Sequence, residues 1–196
     1  VFRPIKKQRF TYLAIGDNTT FDGSSMDLYH DFRMGQFGSS TVPIGWHWKR
    51  APNYFDIVGY TGNGTTGRTV SHNLGVAPEM MFVKKRSGSG NWQVYHASQG
   101  AGKYSPSFRT DPFYSAGTSR WNNTTPTDTV FTLGSDNDVN GSGSTYIAYL
   151  FATLSGISKV VSYSGTGSNI NVDCGFSNGA GFILIKRADT EIQSTT

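Results

Sequence analysis

The chain has 196 residues, with 24 glycines, 14% aromatic residues and only 15% charged residues, a composition that favours tight turns and pleated strands over long helices. Its single cysteine, Cys174, excludes an intrachain disulfide, and the lack of an apolar run of about eighteen residues argues against membrane insertion. The net charge of +4 comes from short, scattered basic groups rather than one basic stripe, so we expect no nucleic-acid partner.

The strand signals are short apolar or alternating runs, most of them bounded by Gly, Asn, Asp or Ser. In chain order they cover residues 11–15, 55–61, 80–84, 92–96, 130–133, 145–151, 159–164, 170–174 and 182–186. No window keeps the period of an amphipathic helix, so no long helix is predicted. Many short strands at this spacing predict an all-β fold of antiparallel, sandwich-like sheets with little or no helix.

Two longer stretches carry few strand signals. Residues 16–45 are rich in Gly, Ser and Asp, and they are predicted to form an extended arm or loop. Residues 101–128 are interrupted by three prolines and are predicted to form a long surface excursion. Long loops on rigid β scaffolds often carry recognition, so the second stretch is a candidate contact region.

An internal repeat organises the rest of the chain. Residues 55–64 (FDIVGYTGNG) match residues 158–167 (SKVVSYSGTG) position for position, which gives a period of 103 from Tyr60 to Tyr163. After a one-residue deletion the match continues, with residues 73–85 corresponding to residues 175–187. The element just before each copy also corresponds: residues 45–50 precede the first copy and residues 149–153 precede the second. Residues 10–15 resemble this closing element as well.

The repeat predicts three parts. They are a shortened N-terminal unit with an extended arm at 1–50, a complete sandwich-like repeat at 51–156, and the opening strands of a further, incomplete repeat at 157–196. The last part has no counterparts of the strands at 92–96 and 145–151. Because an incomplete sheet leaves an unpaired edge, we expect the missing strands to come from residues outside this sequence or from a neighbouring chain by strand addition.

The run from Trp48 to His96, WKRAPNYFDIVGYTGNGTTGRTVSHNLGVAPEMMFVKKRSGSGNWQVYH, is similar to a repeat found in structural proteins of marine tailed bacteriophages. Residues 121–134, 144–168 and 174–189 follow the same pattern, so the resemblance covers about residues 45–189. Such repeats are commonly described as parts of tail fibres, appendages or other virion components.

The resemblance implies a bacteriophage virion structural protein, most simply a tail-fibre or appendage component that takes part in host-surface attachment on the outside of the particle. It also implies a homo-oligomer, which in fibres is usually a trimer, together with contacts to other virion proteins and to a host-surface glycan. A capsid-decorating or head-fibre protein is the alternative within this class.

A polysaccharide depolymerase is the alternative from a different class. It would need two carboxylates about 5–10 Å apart, and the 13 acidic residues offer no recognisable pair. We therefore expect no enzyme activity, with no catalytic residue, no cofactor and no metal site.

Aromatic side chains are the candidate contact residues. Trp121 lies in a polar, Asn- and Thr-rich loop and is the best surface candidate, and Trp92 and Tyr95 are further candidates for a ligand or partner contact. The alternative for such residues is core packing. Trp46 and Trp48 are predicted to share one face of a strand in the core.

A calcium turn is the remaining question. Asp136, Asp138 and Asn140 match the first half of a calcium-loop pattern, but Ile147 stands where an EF-hand needs a bidentate Glu. An EF-hand is therefore excluded, while a non-helical calcium turn and an ordinary Asp-Asn-Gly hairpin loop both stay open.

Overall fold

The structure is a computed structural model that describes residues 11–13, 46–106 and 111–189. The chain divides into two units between Lys49 and Arg50. In the first unit, strand β1 (Thr11–Leu13) pairs antiparallel with strand β2 (Trp46–Trp48). The predicted arm or loop at 16–45 lies outside the described residues.

The second unit contains two antiparallel sheets. Its strands are β3 (Phe55–Thr61), β4 (Arg68–Ser71), β5 (Met80–Lys85), β6 (Gln93–His96), β7 (Lys103–Pro106), β8 (Tyr114–Ser115), β9 (Val130–Leu133) and β10 (Thr145–Phe151). Six strands form one sheet in the order β3-β10-β5-β6-β7-β8, and β4 pairs with β9 in the other. A 3₁₀ turn (Ala97–Gln99) and helix α1 (Asn137–Asn140) are the helical elements of the described residues.

The predicted all-β class is confirmed: the described residues are mostly antiparallel sheet with almost no helix. The finer prediction of tandem sandwich repeats is not shown by the structure, because the two copies of the sequence repeat have different backbone structures. Tyr60 lies in β3, whereas Tyr163 lies outside any strand.

The hydrophobic core lies between the two sheets of the second unit. Strand β10 contributes Tyr146, Ala148 and Leu150, which alternate along the strand and therefore share one face. Phe131 and Leu133 of β9 belong to the same buried cluster. Each fully buried side chain of this size contributes about 1.5–3 kcal/mol to folding through removal of apolar surface from water.

Strand β10 is the centre of the larger sheet. It pairs with β3 on one side, with Phe151 opposite Phe55, and with β5 on the other, with Phe151 opposite Met80. Its sequence, TYIAYLF, reads as a nearly continuous apolar run because side chains on both of its faces are largely buried.

Three predicted strands are absent from the structure of this chain. Residues 159–164, 170–174 and 182–186 form no hydrogen-bonded ladder, although the first and last of them correspond to β3 and β5. The physical reason is that β3 and β5 both need β10 between them, and no counterpart of β10 for the second copy is among the described residues. A strand without a partner keeps its polar backbone in water.

The predicted surface excursion at 101–128 is partly wrong. Strands β7 and β8 lie inside it and extend the larger sheet beyond β6, with Val94 opposite Ser105 and Tyr104 opposite Tyr114. The chain then returns towards the core, so that the stretch is partly a structural layer. The sequence did not predict these strands because they are short and lie among polar residues; β8 has only two residues.

Acidification is expected to destabilise the fold through His72. Its side chain is 6% exposed, its Nδ1 accepts the N–H of Leu74 at 3.2 Å, and its Nε2 therefore donates to the carbonyl of Thr127 at 3.2 Å. Burial lowers the pKa of His72 below its ordinary value of 6.5, and burial acts on His96 in the same direction. The unfolded chain then binds more protons than the folded one, so the free energy of unfolding falls as the pH drops through about 6.5.

The measurement is urea unfolding at pH 7.5 and pH 5.5. The variant His72→Asn keeps an acceptor near Leu74 without a titrating ring, so it should lose less stability between the two pH values than the parent does. Equal losses in parent and variant would assign the pH dependence to other groups.

Candidate assembly interface

The segment from residue 157 to residue 189, called here the C-terminal arm, follows β10 after a turn that is closed by hydrogen bonds. The N–H of Leu154 donates to the Oγ of Ser158 at 2.9 Å, and that hydroxyl donates to the carbonyl of Ala152 at 2.6 Å. The N–H of Val160 donates to the Oγ1 of Thr153 at 3.0 Å. The start of the arm is therefore fixed to the end of the central strand.

The far end of the arm contacts the segment before β8. The N–H of Phe113 donates to the carbonyl of Ala188 at 3.0 Å, and the ammonium of Lys186 lies 6.0 Å from the centre of the Phe113 ring. The same ammonium donates to the carbonyl of Asp111. Partial burial lowers the pKa of Lys186. The arm is thus held at both ends.

Between these contacts the arm exposes most of its apolar side chains. The exposed large apolar residues of the arm are Ile157, Val161, Tyr163, Ile170, Val172, Phe182, Ile183, Leu184 and Ile185. Only Tyr114 joins them from elsewhere in the described part of the chain. The exposed apolar residues are therefore concentrated in one segment rather than scattered singly, which makes the arm the candidate association site of the described residues.

The sequence repeat relates exposed residues of the arm to buried core residues of β5. Ile183 and Ile185 correspond to Met81 and Val83 of β5, which are 0% exposed in the core, yet Ile183 and Ile185 are 69% and 67% exposed. The arm therefore carries the sequence of a buried strand in a position where water reaches it. Each such side chain gains free energy when a partner covers it.

The arm and β3 differ at the position of Asp56. In β3 the buried carboxylate of Asp56 accepts the N–H of Ile57 at 2.8 Å and that of Asn73 at 2.7 Å, and it is paired with Arg50. This carboxylate satisfies two backbone N–H groups. The counterpart of Asp56 in the arm is Lys159, whose ammonium only donates hydrogen bonds, and the N–H of Val160, the counterpart of Ile57, donates to the Oγ1 of Thr153 instead.

Two of the three aromatic residues predicted to make contacts are buried. Trp121 is 0% exposed, its indole N–H donates to the carbonyl of Lys103 at 3.1 Å, and its ring meets that of Tyr95 edge to face at 6.1 Å. The prediction that Trp121 lies at the surface is wrong, because the chain after β8 turns this ring into the core. Tyr95 is 1% exposed and packs in the same cluster.

Trp92 is the third predicted contact residue and keeps part of its surface. Its ring lies 6.1 Å from that of Tyr149, and the ammonium of Lys84 lies 5.9 Å from its centre. Trp48 is half-buried, while the side chain of Trp46 lies outside the described residues. The predicted shared face of these two tryptophans is therefore not described.

The acidic residues around α1 are engaged in the fold. Asp136 caps the helix by accepting the N–H of Asp138 at 2.8 Å and forms an ion pair with Arg120. Asp138 accepts the amide of Gln93 at 2.9 Å, and the oxygen of Asn140 accepts the N–H of Asn63 at 3.0 Å.

Each of these oxygens accepts a hydrogen bond from a group within the fold. Across the described ranges, no group of three His, Cys, Asp or Glu side chains is placed to hold a metal ion. In the same ranges no helix is long and apolar enough to cross a membrane.

Comparison with known proteins gives one family. A family model described as a domain of unknown function (DUF7483) matches residues 36–194. No curated protein and no solved structure matches the chain. The matched region begins before β2 and extends beyond the C-terminal arm, so both belong to the domain that the family shares.

Proposed function

The chain belongs to the family of the DUF7483 domain, whose function is unknown, and we propose that it is a self-associating structural protein of a bacteriophage particle. Within the particle it is a component of a tail fibre or similar appendage and takes part in host-surface attachment. The bacteriophage assignment is supported by the similarity of the run from Trp48 to His96 to repeats of virion proteins.

The observation that carries self-association is the exposed C-terminal arm. Its apolar side chains include counterparts of core residues, and two of these, Ile183 and Ile185, are 69% and 67% exposed. A segment of this kind is stable when another strand covers it, and a homo-oligomer supplies such strands in every copy. With that partner the arm becomes the opening of a second sandwich-like unit, so that repeated units follow one another as in a stiff rod.

The proposed work of the protein is packing and surface contact without chemistry. Two carboxylates of the described residues have structural partners: Asp56 forms an ion pair with Arg50 and accepts two backbone N–H groups, and Asp136 forms an ion pair with Arg120. The half-buried ring of Trp92 beside Lys84 is the remaining predicted aromatic site for a host-surface glycan.

Sedimentation velocity of the purified chain tests self-association. The expected result is a species whose mass is a multiple of 21.4 kDa at micromolar concentration, trimers being the usual form in fibres. A species of 21.4 kDa alone at this concentration would contradict the proposal.

Antibody labelling of purified virions by electron microscopy tests the location. Label on the tail or an appendage agrees with the proposal, and label on the capsid shell would assign the chain to capsid decoration instead. Release of reducing ends from host polysaccharide by the pure protein would establish a depolymerase and contradict a purely structural role.

A further inference from the structure

We propose that the side chains of Lys85 and Asn137 react with each other to form an amide (isopeptide) bond within the chain. In the structure the ammonium of Lys85 donates a hydrogen bond to Oδ1 of Asn137 at 3.1 Å. Lys85 is the last residue of β5 and Asn137 is the first residue of α1. The bond therefore ties the larger sheet to the segment between β9 and β10, and it does not depend on the proposed self-association.

Helix α1 is held next to the end of β5 by the neighbouring strand. Tyr146 of β10 is fully buried and lies opposite Lys85 in the antiparallel ladder. Its hydroxyl donates to the carbonyl of Asn137 at 2.6 Å and accepts the N–H of Gly141 at 2.8 Å. Two paired residues of the sheet thus bind the same helical turn, which fixes Asn137 relative to Lys85.

Two glycines leave room for the reacting side chains. A Cβ atom at Gly141 would lie only 2.0 Å from Oδ1 of Asn137, so a larger residue would displace this amide. A Cβ atom at Gly90 would lie 3.1 Å from Oδ1 of Asp138 and 3.4 Å from Cβ of Lys85. The amide, the lysine stem and a carboxylate therefore lie close together. Reacting groups held about 3–3.5 Å apart gain most from proximity.

The reaction needs no oxidant and no cofactor. The ammonium of Lys85 gives one proton to the carboxylate of Asp138, and the neutral amine is then a nucleophile. A bond forms between Nζ and Cγ of Asn137, which is one bond beyond Oδ1. The bond from Cγ to Nδ2 breaks. Nδ2 takes a second proton from Nζ and the proton held by Asp138, and it leaves as an ammonium ion.

Asp138 is suited to carry the proton. It follows Asn137 in the chain and lies beside the same glycine as the lysine stem. Burial raises the pKa of Asp138 and a neighbouring carboxylate, that of Asp136, raises it further, while three cations oppose the rise: Arg120, Lys85 and Lys84. A raised pKa makes a carboxylate a better proton acceptor.

The sequence repeat distinguishes lysine from arginine at this position. The counterpart of Lys85 in the arm is Arg187, whose guanidinium forms an ion pair with Asp189 at 3.1 Å. A guanidinium stays protonated in proteins and is no nucleophile. The proposed bond is therefore a property of the complete copy. It forms once per chain without an outside substrate, so it adds to a structural role.

Mass spectrometry of the purified chain tests the bond. The intact mass is expected to be lower than the sequence mass by one ammonia molecule, and tryptic digestion should give a branched peptide that joins residue 85 to residue 137. A full sequence mass, even after prolonged incubation at neutral pH, would overturn the inference and leave the proposed function standing. Loss of ammonia without the branched peptide would indicate a cyclic imide at Asn137 and would also contradict it.

Two matched variants assign the roles. Lys85→Arg keeps the charge and the hydrogen-bond donor but not the nucleophile, so it should show the full sequence mass and unfold at a lower urea concentration than the linked parent, because a cross-link restricts the unfolded chain. Asp138→Asn keeps the shape and should keep the circular dichroism spectrum of the parent without forming the branch. A branch formed as completely in Asp138→Asn as in the parent would contradict the assignment of Asp138. A linked chain that sediments as a monomer would overturn the proposed self-association alone.

Discussion

Replacing both Ile183 and Ile185 by Asp is expected to convert the assembled protein into monomers. Both side chains are about two-thirds exposed in the single chain and correspond to fully buried residues of β5. Covering two such side chains contributes about 3–6 kcal/mol to association. Its loss weakens assembly by roughly two to four powers of ten, because each 1.4 kcal/mol corresponds to a factor of about ten. Sedimentation velocity over a range of concentrations measures the change.

The matched control is the double change Ser177→Asp and Asn178→Asp. These residues are exposed in the same arm and add the same charge, but they are polar in the parent. The control should assemble like the parent. Neither variant should alter the unfolding midpoint of the monomer, because the arm contributes no residue to the core cluster. Unchanged assembly after the isoleucine substitutions would remove the arm from the interface.

The sequence was sufficient to locate the central strands, because they depend on local pattern. Strand β10 is predicted as a strand from TYIAYLF alone, whereas the strands predicted at 159–164 and 182–186 are not formed in the structure. What pattern could not supply was the order of strands in the sheet. Phe55 pairs with Phe151, far away in sequence, and such pairing depends on the packing of the whole domain.

The contact residues of the candidate site were predicted only in part, because contacts between residues distant in sequence decide which side chains are buried. The surrounding Asn and Thr residues made Trp121 look exposed, although burial is decided by what packs on a side chain and not by its sequence neighbours. The structural role of the buried Asp56 carboxylate was missed, since its partners Asn73 and Arg50 come close only in the fold. The two copies of the repeat differ at this position, where the acidic residue of the complete copy is Lys159 in the arm.

Replacing Trp121 by Ala is expected to destabilise the second unit by about 3–5 kcal/mol, the usual cost of removing a large buried ring. The side chain is fully buried, contacts Tyr95 and donates its N–H to the carbonyl of Lys103. Trp121→Phe keeps most of the ring and loses that hydrogen bond, so its cost should be smaller, about 1–3 kcal/mol. Urea unfolding followed by circular dichroism gives both values.

The measurement should be made in the Ile183→Asp, Ile185→Asp background, because self-association would otherwise add a concentration-dependent term to the stability. Trp92→Ala serves as the comparison: its ring is only half-buried, so its loss should cost less than that of Trp121. If Trp121→Ala instead unfolded within about 1 kcal/mol of its parent, the ring would not be a core side chain. A surface contact role for Trp121 would then be restored, since only a side chain outside the core can be removed at so small a cost.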